Sequence, residues 1–80
     1  MSGPRRLAVP RAARVRSAPA GQPLAVDGQA VAHVRESWLL EDRWWTEQPL
    51  RRRYWEIVTG SGRVLVVFHD LAGGGWFRQR

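Results

Sequence analysis

Eighty residues, no cysteine and a net charge of +6, with thirteen basic residues that are all arginine, bound this chain to one small domain. Disulfide frameworks, thiolate metal sites and cysteine nucleophiles are excluded by composition. No run approaches the roughly 18 apolar residues that a membrane-spanning helix needs.

The chain opens on residues 1–21, which carry five arginines, three prolines and no acid. Most apolar residues there are alanines, which bury little surface, so this segment reads as a disordered basic arm. No apolar stretch of signal-peptide type follows the first charges, because Pro10, Arg11, Arg14 and Arg16 interrupt it. A cytoplasmic location is the corresponding expectation. Residues 22–80 hold eight arginines against seven acids, so nearly all of the excess charge belongs to the arm. A basic arm attracts polyanions at long range. The absence of lysine beside abundant Ala, Gly, Val and Pro fits a GC-rich coding bias.

Residues 22–80 then read as the folded part, in a size range where only about 60% of the surface is buried on folding. Leu24-Ala25-Val26 runs into Asp27-Gly28, a dipeptide suited to a two-residue hairpin turn with positive φ at both positions. Ala30 to Leu39 reads as a long strand, with Ala32, Val34 and Trp38 on one face and His33, Arg35 and Ser37 on the other. Residues 40–49 are polar and close on Pro49, giving a connection; a short helix over 38–48 is the alternative. Arg52 to Thr59 and Arg63 to His69 are β-rich runs around Gly60-Ser61-Gly62. A two-residue turn at Gly60-Ser61 would set Ile57 opposite Val64 and Trp55 opposite Val66, placing Trp55, Ile57, Val64, Val66 and Phe68 on one core-facing surface. Gly73-Gly74-Gly75 is a further turn, and Trp76 to Arg80 a last strand. The expected fold is all-β: an antiparallel meander of about five strands curling into a small, SH3-like barrel.

No constellation for catalysis emerges. His33 and His69 lie on predicted strands without carboxylates at ligand spacing, so no metal and no cofactor is expected. Glu41, Asp42 and Glu47 sit in a charge-rich connection with nothing to tune a general acid. Gly73-Gly74-Gly75 precedes no helix and no Lys-Ser/Thr, which a phosphate loop requires. The chain therefore reads as a non-enzyme.

What stands out is an arginine–tryptophan cluster: Arg43, Trp44 and Trp45, then Arg51, Arg52, Arg53, Tyr54 and Trp55. Trp and Arg dominate binding hot spots, and the same pair stacks bases and holds phosphates. Arg43, Trp44, Trp45 and Trp55 are the candidate protein-binding residues, with one of the adjacent tryptophans expected in the core and the other exposed. Arg51, Arg52, Tyr54 and Trp55, helped by the basic arm, form the alternative nucleic-acid surface, Arg52 on phosphate and Tyr54 on a base. The competing structural expectation is that these arginines pair with Glu36, Glu41, Asp42 and Glu47 across neighbouring strands.

Four stretches taken together carry a resemblance: Trp38-Leu39-Leu40-Glu41-Asp42-Arg43-Trp44-Trp45, Arg52-Arg53-Tyr54-Trp55-Glu56, Gly62-Arg63 and Gly75-Trp76-Phe77-Arg78. This series resembles a family of small bacterial β domains of actinobacterial type and unknown function. It is also similar to the C-terminal segment of mutasome Y-family DNA polymerase-like proteins. The likeness spans residues 24–80 and leaves out the arm and the whole polymerase-like body. It implies a protein-interaction module accessory to DNA-damage tolerance or translesion synthesis, with translesion polymerase machinery as partner. It implies no catalytic residue.

Overall fold

The computed structural model describes residues 10–42, 45–47 and 49–80. Seven strands form the fold: β1 (Arg11–Ala12), β2 (Val15–Ser17), β3 (Pro23–Val26), β4 (Gln29–Asp42), β5 (Leu50–Thr59), β6 (Val64–Asp70) and β7 (Trp76–Arg78). They make one antiparallel sheet in the order β1-β7-β6-β5-β4-β3-β2, with no helix among the described residues. The all-β, barrel-like expectation holds, and β3 to β7 are the five strands read from the sequence.

The two additional strands come from the segment assigned to the basic arm, and this corrects the boundary at residue 21. Residues 11–17 serve both ends of the sheet: β1 pairs with β7, and β2 pairs with β3. Between them, the Ala13 amide donates to the Trp76 carbonyl (2.9 Å) while the Arg14 carbonyl accepts from the Asp27 amide (2.7 Å). One short run thereby draws the two edges of the sheet together. The alternation Ala13-Arg14-Val15-Arg16 explains why so basic a segment folds: Ala13 and Val15 pack on the core, and both arginines are exposed. Residues 1–9 of the expected arm lie outside the described residues.

Asp27 secures this seam. It takes a positive φ (49°), followed by Gly28 at 83°, as the Asp-Gly hairpin turn requires. Its carboxylate accepts the Arg14 amide (2.9 Å) and pairs with Arg78 Nη1 on β7 (3.4 Å).

The β5–β6 hairpin differs from expectation by one residue. Ile57 pairs with Leu65, Trp55 with Val67 and Arg53 with His69. The connection has three residues, not two: Gly62 donates to the Thr59 carbonyl (2.9 Å) and adopts φ 90°, a type I turn followed by a left-handed glycine. Buried Thr59 holds the loop, its Oγ1 accepting the Arg63 amide (3.1 Å). A one-residue slip exchanges the faces of a strand. The core face of β6 is therefore Leu65 and Val67, and Val66 and Phe68 lie on the opposite face.

Two apolar clusters result. Inside the curved sheet, Val26, Trp55, Ile57, Leu65 and Val67 are buried, with Ala13, Val15, Val31 and Trp76 packed around them. On the outer face, Tyr54, Val66 and Phe68 are buried with Phe77 against them.

β4 is longer and less regular than expected. Two bulges, at Ala32 and at Arg35, interrupt its pairing with β5; beyond them Glu36 to Asp42 pair one for one with Glu56 to Leu50. The second bulge reverses the alternation, so Val34 lies opposite Ile57 on the inner face and Trp38 opposite Tyr54 on the outer one. Strand continues to Asp42, where a connection or a short helix was expected.

Candidate interaction surface

A row of aromatic rings crosses four strands on the outer face. Register sets Trp38, Tyr54, Phe68 and Phe77 side by side on β4, β5, β6 and β7. Ring centroids are 5.2 Å apart for Trp38–Tyr54, 5.0 Å for Tyr54–Phe68 and 5.2 Å for Phe68–Phe77. Such cross-strand pairs stabilise a sheet by up to about 1 kcal/mol each. Arg52, also on the outer face of β5, lies over the Phe68 ring at 4.4 Å and donates from Nη1 to the Tyr54 hydroxyl (3.2 Å). The inner face carries a second aromatic group: Trp76 packs on Trp55 (5.2 Å) and stacks on His69 (4.6 Å).

These contacts locate the residues singled out from the sequence. Tyr54 is 8% exposed and lies between Trp38 and Phe68, so its ring offers no free stacking face. Trp55 is 9% exposed and belongs to the inner core; at a binding surface it can act only as scaffold. Arg52 is engaged over Phe68, and Arg51 pairs with Glu41 across the β4–β5 ladder (2.9 Å). That cross-strand pairing is the structural role expected for at least one arginine of the cluster. Trp45 is 66% exposed in the connection between β4 and β5. Arg43 and Trp44 lie outside the described residues.

Three residues that the sequence reading did not nominate complete the surface. Trp38, Leu39 and Leu40 are each 39% exposed on β4, next to the connection that carries Trp45. Their signal was present: three consecutive large apolar residues on a strand must project to both faces, and few small sheets cover both. The expectation of a polar connection from residue 40 obscured it.

Among the described residues no group of three or more His, Asp or Glu is placed to hold a metal ion. The ion pairs flanking the outer row, Arg35–Glu56 (3.9 Å) and Arg80–Glu56 (3.8 Å), join the strand β5 to its surroundings and converge on one carboxylate. No helix among the described residues is long and apolar enough to cross a membrane.

Neither a protein-family model, nor a curated protein, nor a solved structure matches this chain.

Proposed function

We propose that the protein is a non-enzymatic protein-interaction module whose contact surface is the far end of the β4–β5 hairpin. The observation that carries this reading is the concentration there of exposed Trp38, Leu39, Leu40 and Trp45, while the other aromatic side chains among the described residues are packed on one another. Adjacent exposed apolar side chains, one of them a tryptophan, are the makings of a binding hot spot. The nucleic-acid alternative draws less support, since Tyr54 and Trp55 have no open ring face and Arg51 and Arg52 already have partners. Exposed Arg11, Arg14 and Arg16 on and between β1 and β2 are what remains in its favour. The likeness of residues 24–80 to the mutasome segment points to translesion polymerase machinery as the partner class.

The test is capture of partners by the full chain and by Trp45→Ala, with oligonucleotide anisotropy at low and near-physiological salt beside it. We expect a protein partner that the wild type retains and Trp45→Ala loses, with the β spectrum of the variant unchanged. Oligonucleotide binding with a steep salt slope, abolished by replacing Arg11, Arg14 and Arg16, would transfer the assignment to nucleic acid.

A further inference from the structure

β4 has a free edge. On one side it pairs with β5 along its length, whereas β3 pairs with it only at Gln29 and Ala30. From residue 32 to residue 42 every residue is exposed, and no described strand takes up the second row of backbone donors and acceptors. Proteins usually protect such an edge with lysine, proline, bulges or an inward charge. β4 contains neither lysine nor proline, and both of its bulges fall before Glu36. The bulges protect one half of the strand, and in the other the charges stand towards the ends, at Glu36, Glu41 and Asp42, and flank Ser37 to Leu40. Glu36 to Asp42 is left as a regular seven-residue edge.

The order of residues on that edge suits a second copy of itself. In an antiparallel pair, directly opposite residues lie on the same face of the sheet, so a two-fold pairing of β4 must be centred on a residue. Centred on Leu39, the pairing sets Leu39 against Leu39 of the other copy on the inner face. It sets Trp38 against Leu40 of the other copy, twice, on the outer face. All three apolar residues then meet apolar residues, and Ser37, whose hydroxyl donates to the Tyr54 carbonyl (2.9 Å), meets Glu41. Centring on Trp38 instead would oppose Leu40 to Glu36 and Leu39 to Ser37; centring on Leu40 would oppose Leu39 to Glu41 and Trp38 to Asp42. Only the Leu39 register matches all three. Trp38 is already stacked at 5.2 Å on Tyr54 on its β5 side, which leaves its other flank for the incoming leucine.

We propose that the protein forms a symmetric homodimer by antiparallel pairing of β4 with β4 of a second copy, centred on Leu39, so that one continuous sheet runs through both. The edge shares Trp38, Leu39 and Leu40 with the contact surface proposed above and leaves out Trp45, so the Leu39 variants test the dimer and Trp45→Ala tests the binding of a different partner. The one unfavourable pair in the register is Glu36 against Asp42 at each end, and added salt should therefore tighten the dimer.

Sedimentation equilibrium of the full chain over about 1 μM to 1 mM should show a doubling of mass. Leu39→Glu and Leu39→Lys should each be monomeric, because like charges then face one another at the centre, and their equimolar mixture should recover the dimer. Leu39 is half-exposed, so neither change is expected to unfold the chain, which circular dichroism checks. The native chain lacks cysteine, so Leu39→Cys gives a clean proximity probe. A self-paired residue places two Cα atoms roughly 4.5–5.5 Å apart, within disulfide reach. Mild oxidation with diamide should link Leu39→Cys almost completely and leave Val64→Cys, exposed at the start of β6, mostly unlinked. A monomeric wild type across the whole range, a Leu39→Lys variant that still dimerises, or equal linking at both cysteines would overturn the proposal.

Discussion

β4 and β5 pair with each other residue for residue from Glu36–Glu56 to Asp42–Leu50, yet they live in different surroundings. β5 has β6 on its other side and buries Tyr54, Trp55, Ile57 and Thr59; β4 has no second neighbour past Ala30 and has no fully buried residue, Val31 being its one side chain packed on the inner cluster. Their apolar content is similar. Burial in a sheet this small depends on having strands on both sides and a layer against each face, and only the central strands have these. A tryptophan on β5 is structural for that reason, and one on β4 is available for contact.

The sharpest way to break this contrast is to truncate equivalent side chains on the two strands. Ile57→Ala, at a fully buried site, should cost about 3–4 kcal/mol in urea unfolding, a large share of the stability of so small a domain. Leu40→Ala should shift the same curve by less than about 1 kcal/mol at concentrations where the chain is monomeric. Equal losses would mean that β4 is covered after all.

The seam between the sheet's two ends comes next. Asp27→Ala removes the acceptor for the Arg14 amide, the partner of Arg78 and a residue tolerant of positive φ. About 2 kcal/mol of destabilisation is expected, most of it from the hydrogen bond and the backbone since the ion pair is partly exposed. Asp27→Asn should recover part of this, and hydrogen exchange at Ala13 and Arg14 should report the opening.

Smaller effects sharpen the comparison at the outer row. Arg52→Ala gives up the contact over Phe68 and the bond to Tyr54, for a loss of about 1 kcal/mol measured by thermal unfolding. Arg51→Ala breaks only the exposed pair with Glu41 and should move stability by no more than about 0.5 kcal/mol, an effect that salt erases. Trp45→Ala should leave stability within about 0.5 kcal/mol while weakening partner binding at least tenfold, the separation of stability from affinity expected of an exposed anchor.

Much of this fold was readable from local chemistry. Asp27-Gly28 specified its hairpin through the φ values both residues tolerate, and the β-rich runs around residues 54–59 and 64–69 declared their strands. The errors have identifiable causes. Gly60-Ser61-Gly62 allows a two- or a three-residue turn, and the choice between them flips Leu65, Val66, Val67 and Phe68 between faces. The bulge at Arg35 is invisible in composition and reverses the faces of everything after it. Residues 11–17 looked unfoldable because arginine and alanine bury little area. Their alternation needed an edge to dock on, and that edge exists only once β3 and β7 are in place.

The site divides in the same way. That arginine and tryptophan are concentrated around residues 43–55 is a property of the chain, as is the absence of cysteine. Which tryptophans face solvent is not. Trp55 and Trp38 lie one position out of step across the β4–β5 ladder, with Trp55 on the inner face and Trp38 on the outer. The first is enclosed by its neighbours on β6 and β7, and the second is left at the open edge. Local sequence determined strands, turns and the inventory of contact residues, because backbone preference and side-chain chemistry act within a few residues. Tertiary structure decided exposure, because burial is conferred by strands far away in the chain.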